Sequence, residues 1–89
     1  MLAEKRLVIK NKLGLHARPA ALFVQLANKF NCDIIIKKGS QEVNGKSIMG
    51  ILMLAAGKGS RIFIRANGLD AQNAIDELGQ LLSSDLSGE

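Results

Sequence analysis

The segment Gly14-Leu15-His16-Ala17-Arg18-Pro19-Ala20 holds the only histidine and the only proline of the chain, with Arg18 between them. An imidazole titrates at about 6.5, so near neutral pH it can carry charge or act as a nucleophile. Pro19 has no amide N–H and holds φ near the helical value, which suits the first turn of a helix. Residues 20–30 are mostly good helix formers, with Leu22, Leu26 and Phe30 at helical spacing. A helix over residues 17–29 is predicted, with His16 at its mouth. That end of a helix favours anions. Arg18 adds a planar fork of donors suited to phosphate. A nucleophile beside an anion cradle is the chemistry of a phosphohistidine site. A histidine ahead of a helix more often serves as a cap or a surface residue. Gly14, Arg18 and Pro19 around it turn the reading towards chemistry.

A second set lies at Asn44-Gly45-Lys46-Ser47-Ile48-Met49-Gly50-Ile51-Leu52-Met53. Ser47 suits the N-cap of a short helix, and the same hydroxyl could accept a modification. Gly50 weakens that helix, and Gly57 and Gly59 close the segment. Ile48, Met49, Leu52 and Met53 could be ordinary core. A helix this short can hide only part of such a set, so some exposure is expected. Residues 39–47 imitate a phosphate-binding P-loop, but five residues separate Gly39 from Gly45 where the pattern needs four. A short strand would also occupy the middle of that loop.

The elements that must position these residues are read from hydrophobic pattern and turn chemistry. Residues 4–10 form a first strand, and residues 33–38 a β-branched, buried one. Gly39-Ser40 predicts a type II′ hairpin into a strand at 41–43. Residues 61–65 make the fourth strand. Asn67-Gly68 turns into a last helix over 70–82, with Ala71, Ala74, Ile75, Leu78, Leu81 and Leu82 on one face. Residues 83–89 are expected to fray. The order β-α-β-β-α-β-α predicts an α+β sandwich, with helices on one face of a mostly antiparallel sheet. The whole chain, residues 1–89, is expected to be one domain.

Composition excludes several classes. No run approaches the ~18 apolar residues of a membrane helix, and no signal-peptide layout is visible, so a cytoplasmic protein without membrane insertion is expected. A lone Cys32 with one histidine offers neither a disulfide nor a zinc site, and neither metal nor organic cofactor is expected. Cys32 is expected to pack at a strand start; a reactive thiol is the weaker alternative. Twelve basic and eight acidic residues give a net charge of +4, which favours acidic partners. Nucleic acid is not expected: the basic residues are dispersed, the only aromatics are three Phe, and neither a recognition helix nor an aromatic platform is visible.

With both motifs placed, the chain resembles the histidine-containing phosphocarrier (HPr) family of the bacterial phosphotransferase system. The resemblance covers nearly the whole chain and rests on Gly14 to Ala20 and on Asn44 to Leu52. It implies an open-faced β-sandwich, a four-stranded antiparallel sheet covered on one face by three helices. It implies that His16 accepts a phosphoryl group on Nδ1 from enzyme I and passes it to EIIA domains. Arg18 would neutralise the phosphoryl oxygens. Ala17 and Pro19 would shape the helix start, and the Ala17 and Arg18 amides would cap the phosphate. Ser47 matches a serine modified by an ATP-dependent HPr kinase/phosphorylase. Ile48, Met49, Leu52 and Met53 match an apolar patch that docks partners. Such a protein is expected to act as a monomer. The alternative is a regulatory interaction module whose Ser47 phosphorylation controls partner proteins. Leu13 and residues 53–60 look closer to nitrogen-type or regulatory members than to sugar-transport ones. The related catabolite-repression paralogue lacks the active histidine, and His16 argues against it.

Overall fold

The computed structural model describes residues 1–83, in the order β1 (Leu2–Val8), α1 (Ala17–Ala27), β2 (Cys32–Lys38), β3 (Gln41–Asn44), α2 (Ile48–Met53), β4 (Arg61–Gly68) and α3 (Ala71–Ser83). The four strands form one antiparallel sheet in the order β1-β4-β2-β3. This is the expected α+β open-faced sandwich. Side chains alternate along each strand, so one sheet face presents Ala3, Ile34, Ile36, Ile62, Ile64 and Ala66 to the helices. Helix α1 buries Ala20, Phe23, Val24 and Ala27, and α3 buries Ala71, Ala74, Ile75, Leu78 and Leu82. Both sets follow helical spacing. Helix α2 buries only Ile51. Fully buried side chains of the size of Phe23, Ile51, Ile64 and Leu78 contribute about 1.5–3 kcal/mol each.

The structure moves several boundaries. Strand β1 spans Leu2–Val8 rather than 4–10. Ile9 is still core, but it lies beyond the regular ladder: its N–H donates to Ser60 O (2.9 Å) and its carbonyl accepts from Gly59 N (2.8 Å). Val8 points to the open face and is exposed. Helix α1 ends at Ala27, because the amides of Lys29 and Phe30 switch to i−3 carbonyls at Leu26 and Ala27. Its buried face is not the Leu22-Leu26-Phe30 stripe: Leu22 is exposed, while Leu26 and Phe30 only lean on the core. Strand β4 runs on to Gly68, because Ala66 and Asn67 pair with β1 on one side and β2 on the other.

The hairpin turn is the expected one. Lys38 pairs with Gln41, leaving Gly39-Ser40 as the loop, with Gly39 at φ +60. Of the segment expected to fray, Ser83 is the last residue of α3, and residues 84–89 lie outside the described residues.

Candidate phosphohistidine site

His16 is the N-cap of α1, in extended conformation (φ −83, ψ −170), and its imidazole makes no capping bond to the helix. Its carbonyl accepts the first intrahelical bond, from Ala20 N at 3.1 Å. Pro19 is therefore the third helical residue. Its missing N–H removes a donor that the helix start could not have satisfied. The amides of Ala17 and Arg18 precede the first intrahelical bond and belong to the positive end of the helix. His16 is half-buried, and Ala17 and Arg18 are exposed. The sequence thus places an imidazole, two helix-start amides and a guanidinium within one turn.

The loop before His16 is rigidly held. Asn11 is buried; its Nδ2 donates to Gly14 O at 2.7 Å, and its carbonyl accepts from Gly14 N at 3.1 Å. Leu15 N donates to Ala56 O at 2.8 Å. Gly14, at φ +72, lies so close to the 56–57 backbone that a Cβ there would meet the Ala56 carbonyl and sit 2.6 Å from Gly57 Cα. The loop carrying His16 is therefore fastened to the loop that follows α2.

Helix α2 is built as the sequence implies. Ser47 Oγ accepts from Gly50 N at 3.0 Å, an N-cap bond. The other end is satisfied from the β2–β3 hairpin. Lys38 Nζ donates to Leu54 O (3.2 Å) and Ala55 O (3.1 Å), and Gln41 Nε2 donates to Met53 O (3.1 Å). Sequence reading missed Asn11, Lys38 and Gln41 as supports. A polar side chain that satisfies a distant carbonyl leaves no periodic signal. Ile48 (42%), Met49 (66%) and Met53 (66%) are exposed, whereas Leu52 is half-buried against the core. A six-residue helix cannot hide them all. Leu13, on the His16 loop, is exposed as well (61%).

Cys32 begins β2 and is buried, as expected of a packing residue. Burial, and then the neighbouring Asp70 carboxylate, push its thiol above the ordinary value, which argues against a reactive thiolate. The charge that opposes this shift is Lys46. Among the described residues no group of three or more His, Cys, Asp or Glu could hold a metal ion, and no helix is long and apolar enough to cross a membrane.

Known proteins share this fold. A family model described as PTS HPr component phosphorylation site matches residues 3–84. The HPr-like protein Crh of Halalkalibacterium halodurans is 51% identical over 77 residues, covering 86% of this chain and 92% of its own. The phosphocarrier protein HPr of Xylella fastidiosa is 42% identical over 81 residues, 91% of each chain. The crystal structure of HPr-C-His from Thermoanaerobacter tengcongensis superposes with a TM-score of 0.92, at 47% identity over 98% of both chains. Sheet topology and helix placement agree with what these comparisons establish: the chain belongs to the HPr family of the phosphotransferase system.

Proposed function

We propose that this protein is a phosphocarrier that takes a phosphoryl group from phospho-enzyme I onto His16 and delivers it to an EIIA domain. The observation that carries the reading is the position of His16 at the N-cap of α1, with the Ala17 and Arg18 amides directly behind it. Nδ1 attacks the phosphorus; the donor's bond to phosphorus breaks as the N–P bond forms, and the second transfer reverses the roles. Such a reaction needs positioning and charge neutralisation more than covalent machinery. Arg18 and the helix-start amides supply the charge, and Pro19 and Ala17 set the backbone. Ile48, Met49, Leu52 and Met53 form the docking patch, of which Ile48, Met49 and Met53 are the exposed part. The carrier acts as a monomer in the cytoplasm, as a single domain.

The regulatory reading is favoured by one finding, the 51% identity to a Crh protein. Here Ser47 is the site, modified by an HPr kinase/phosphorylase. A phosphate on its Oγ would add about −2 charge at the start of α2. The helix tolerates that charge, but the neighbouring Ile48 and Met49 must then be buried by a partner beside it. Both roles fit one molecule.

The test is intact-mass measurement after incubation with phosphoenolpyruvate and enzyme I, with His16→Ala in parallel. One added phosphoryl group is expected, lost in mild acid and absent from the variant. No transfer, with enzyme I active on another carrier, would sink the carrier role and leave the regulatory one.

A further inference from the structure

The sheet face turned away from the helices carries chemistry that phosphoryl transfer through His16 does not use. Arg6 stands across from Phe63, and Phe63 across from Lys37. Val8 stands across from Arg61, two residues before Phe63 on β4. Side chains alternate along a strand, so these five share the open face. They line a cavity of about 640 Å³ together with Gly39 of the hairpin turn. The Arg6 guanidinium lies over the half-buried Phe63 ring, 5.8 Å from its centroid.

The same face also carries Arg65 and two carboxylates. Glu42 stands across from Lys37, and Glu4 across from Arg65. Arg65 leans towards Glu42 at 4.0 Å. Arg6, Lys37 and Arg61 therefore surround one aromatic ring, with Glu42 beside Lys37 and Glu4 further along the sheet beside Arg65.

We propose that this cavity binds a nucleoside diphosphate, with the base against the Phe63–Arg6 stack and the phosphates on Arg61 and Lys37. The volume is that of a small-molecule site. A guanidinium fork pairs with phosphate oxygens in bidentate fashion, and an ammonium adds a point charge. A planar base gains from stacking on an aromatic ring and a guanidinium. A nucleic-acid strand is the poorer occupant, because successive bases need successive platforms and this face has one aromatic. An acidic peptide extended along the face would run onto Glu4 and Glu42. Helix α2 lies on the opposite face, so occupancy leaves the docking patch open.

The test is titration of the full chain with ADP, followed by backbone amide NMR shifts. Saturable shifts are expected at Arg6, Lys37, Gly39, Arg61 and Phe63, with Ile48 to Met53 unmoved. AMP and pyrophosphate should each bind about tenfold more weakly than ADP, for want of one phosphate and of the base. Arg61→Gln, at an exposed position, should weaken ADP about tenfold with an unchanged melting temperature. Phe63→Leu should bring ADP down to the affinity of pyrophosphate. If the Leu variant does not fold, Arg6→Gln tests the stack from its exposed partner and should lower the preference for ADP over pyrophosphate. The proposal is overturned by an absence of saturable shifts up to about 10 mM ADP, or by equal affinity for ADP and pyrophosphate. Tighter binding of a poly-glutamate peptide or a single-stranded oligonucleotide to this face would also overturn it.

Discussion

Gly14 shows how much of the site depends on a residue with no chemistry of its own. Its φ of +72 is costly for any residue with a Cβ, and that Cβ would collide with the Ala56 carbonyl and Gly57 Cα. Both objects are backbone, so no side-chain rotation relieves the clash. Gly14→Ala is expected to cost about 2–4 kcal/mol in urea denaturation, and to slow phosphoryl transfer by shifting His16. A loss below about 0.5 kcal/mol would show that the two loops do not constrain each other. The need for glycine could not be read from the sequence, because the partner backbone lies some forty residues further on. His16, Arg18 and Pro19 were legible because their chemistry is intrinsic to the residue types and their spacing is local. Asn11 was not, since its role is one hydrogen bond closing a loop.

Helix α2 sets local order against function. Its N-cap, Ser47, is the proposed regulatory position, and the residues after it form the proposed docking patch. Two substitutions separate these roles. Ser47→Ala removes the acceptor for Gly50 N and is expected to cost about 1 kcal/mol of stability. It leaves Ile48, Met49 and Met53 in place, so affinity for enzyme I should not change. Ser47→Asp keeps a good cap, so the melting temperature should stay near that of the parent. Its charge beside the apolar patch should weaken enzyme I binding about tenfold by calorimetric titration. Equal affinity losses in both variants would mean that Ser47 acts through helix integrity rather than charge. The existence and shortness of α2 followed from Ser47, Gly50 and the glycines after it. The limits of β1 did not: Lys5 faces α3, where its side chain lies over Gly79, so an inward strand position reads as polar. Strand β4 draws its length from two neighbours, which no local pattern encodes.

At the scale of the whole molecule, the fold must also be closed at the end of the sheet away from His16, where α1 hands over to β2 and β4 to α3. Hydrophobic period gave the layers, but not the order β1-β4-β2-β3 or the polar fastenings between them. Asp70 is the main fastening. Its carbonyl accepts from Ala74 N at 3.0 Å in the first turn of α3, and its Oδ2 accepts from Asn31 N at 2.8 Å, across 39 positions of chain. Lys46 adds a second tie, donating to Phe30 O at 2.8 Å. The bond from the Asn31 amide, followed by the Cys32 thiol facing the carboxylate, holds the Asp70 pKa below its ordinary 3.8 against an opposing desolvation. A carboxyl whose pKa is lower folded than unfolded binds protons more readily in the unfolded chain. Its stabilisation is complete above about 3.8 and is lost as pH falls through the lower, folded value. Asp70→Asn keeps an oxygen for the Asn31 amide but cannot titrate. Urea midpoints measured from pH 6 down to about 2.5 should therefore fall more steeply for the parent than for the variant, with the difference opening below about 3.8. Parallel profiles would show that Asp70 is not the acid-sensitive tie, and would shift attention to the remaining carboxylates of the surface.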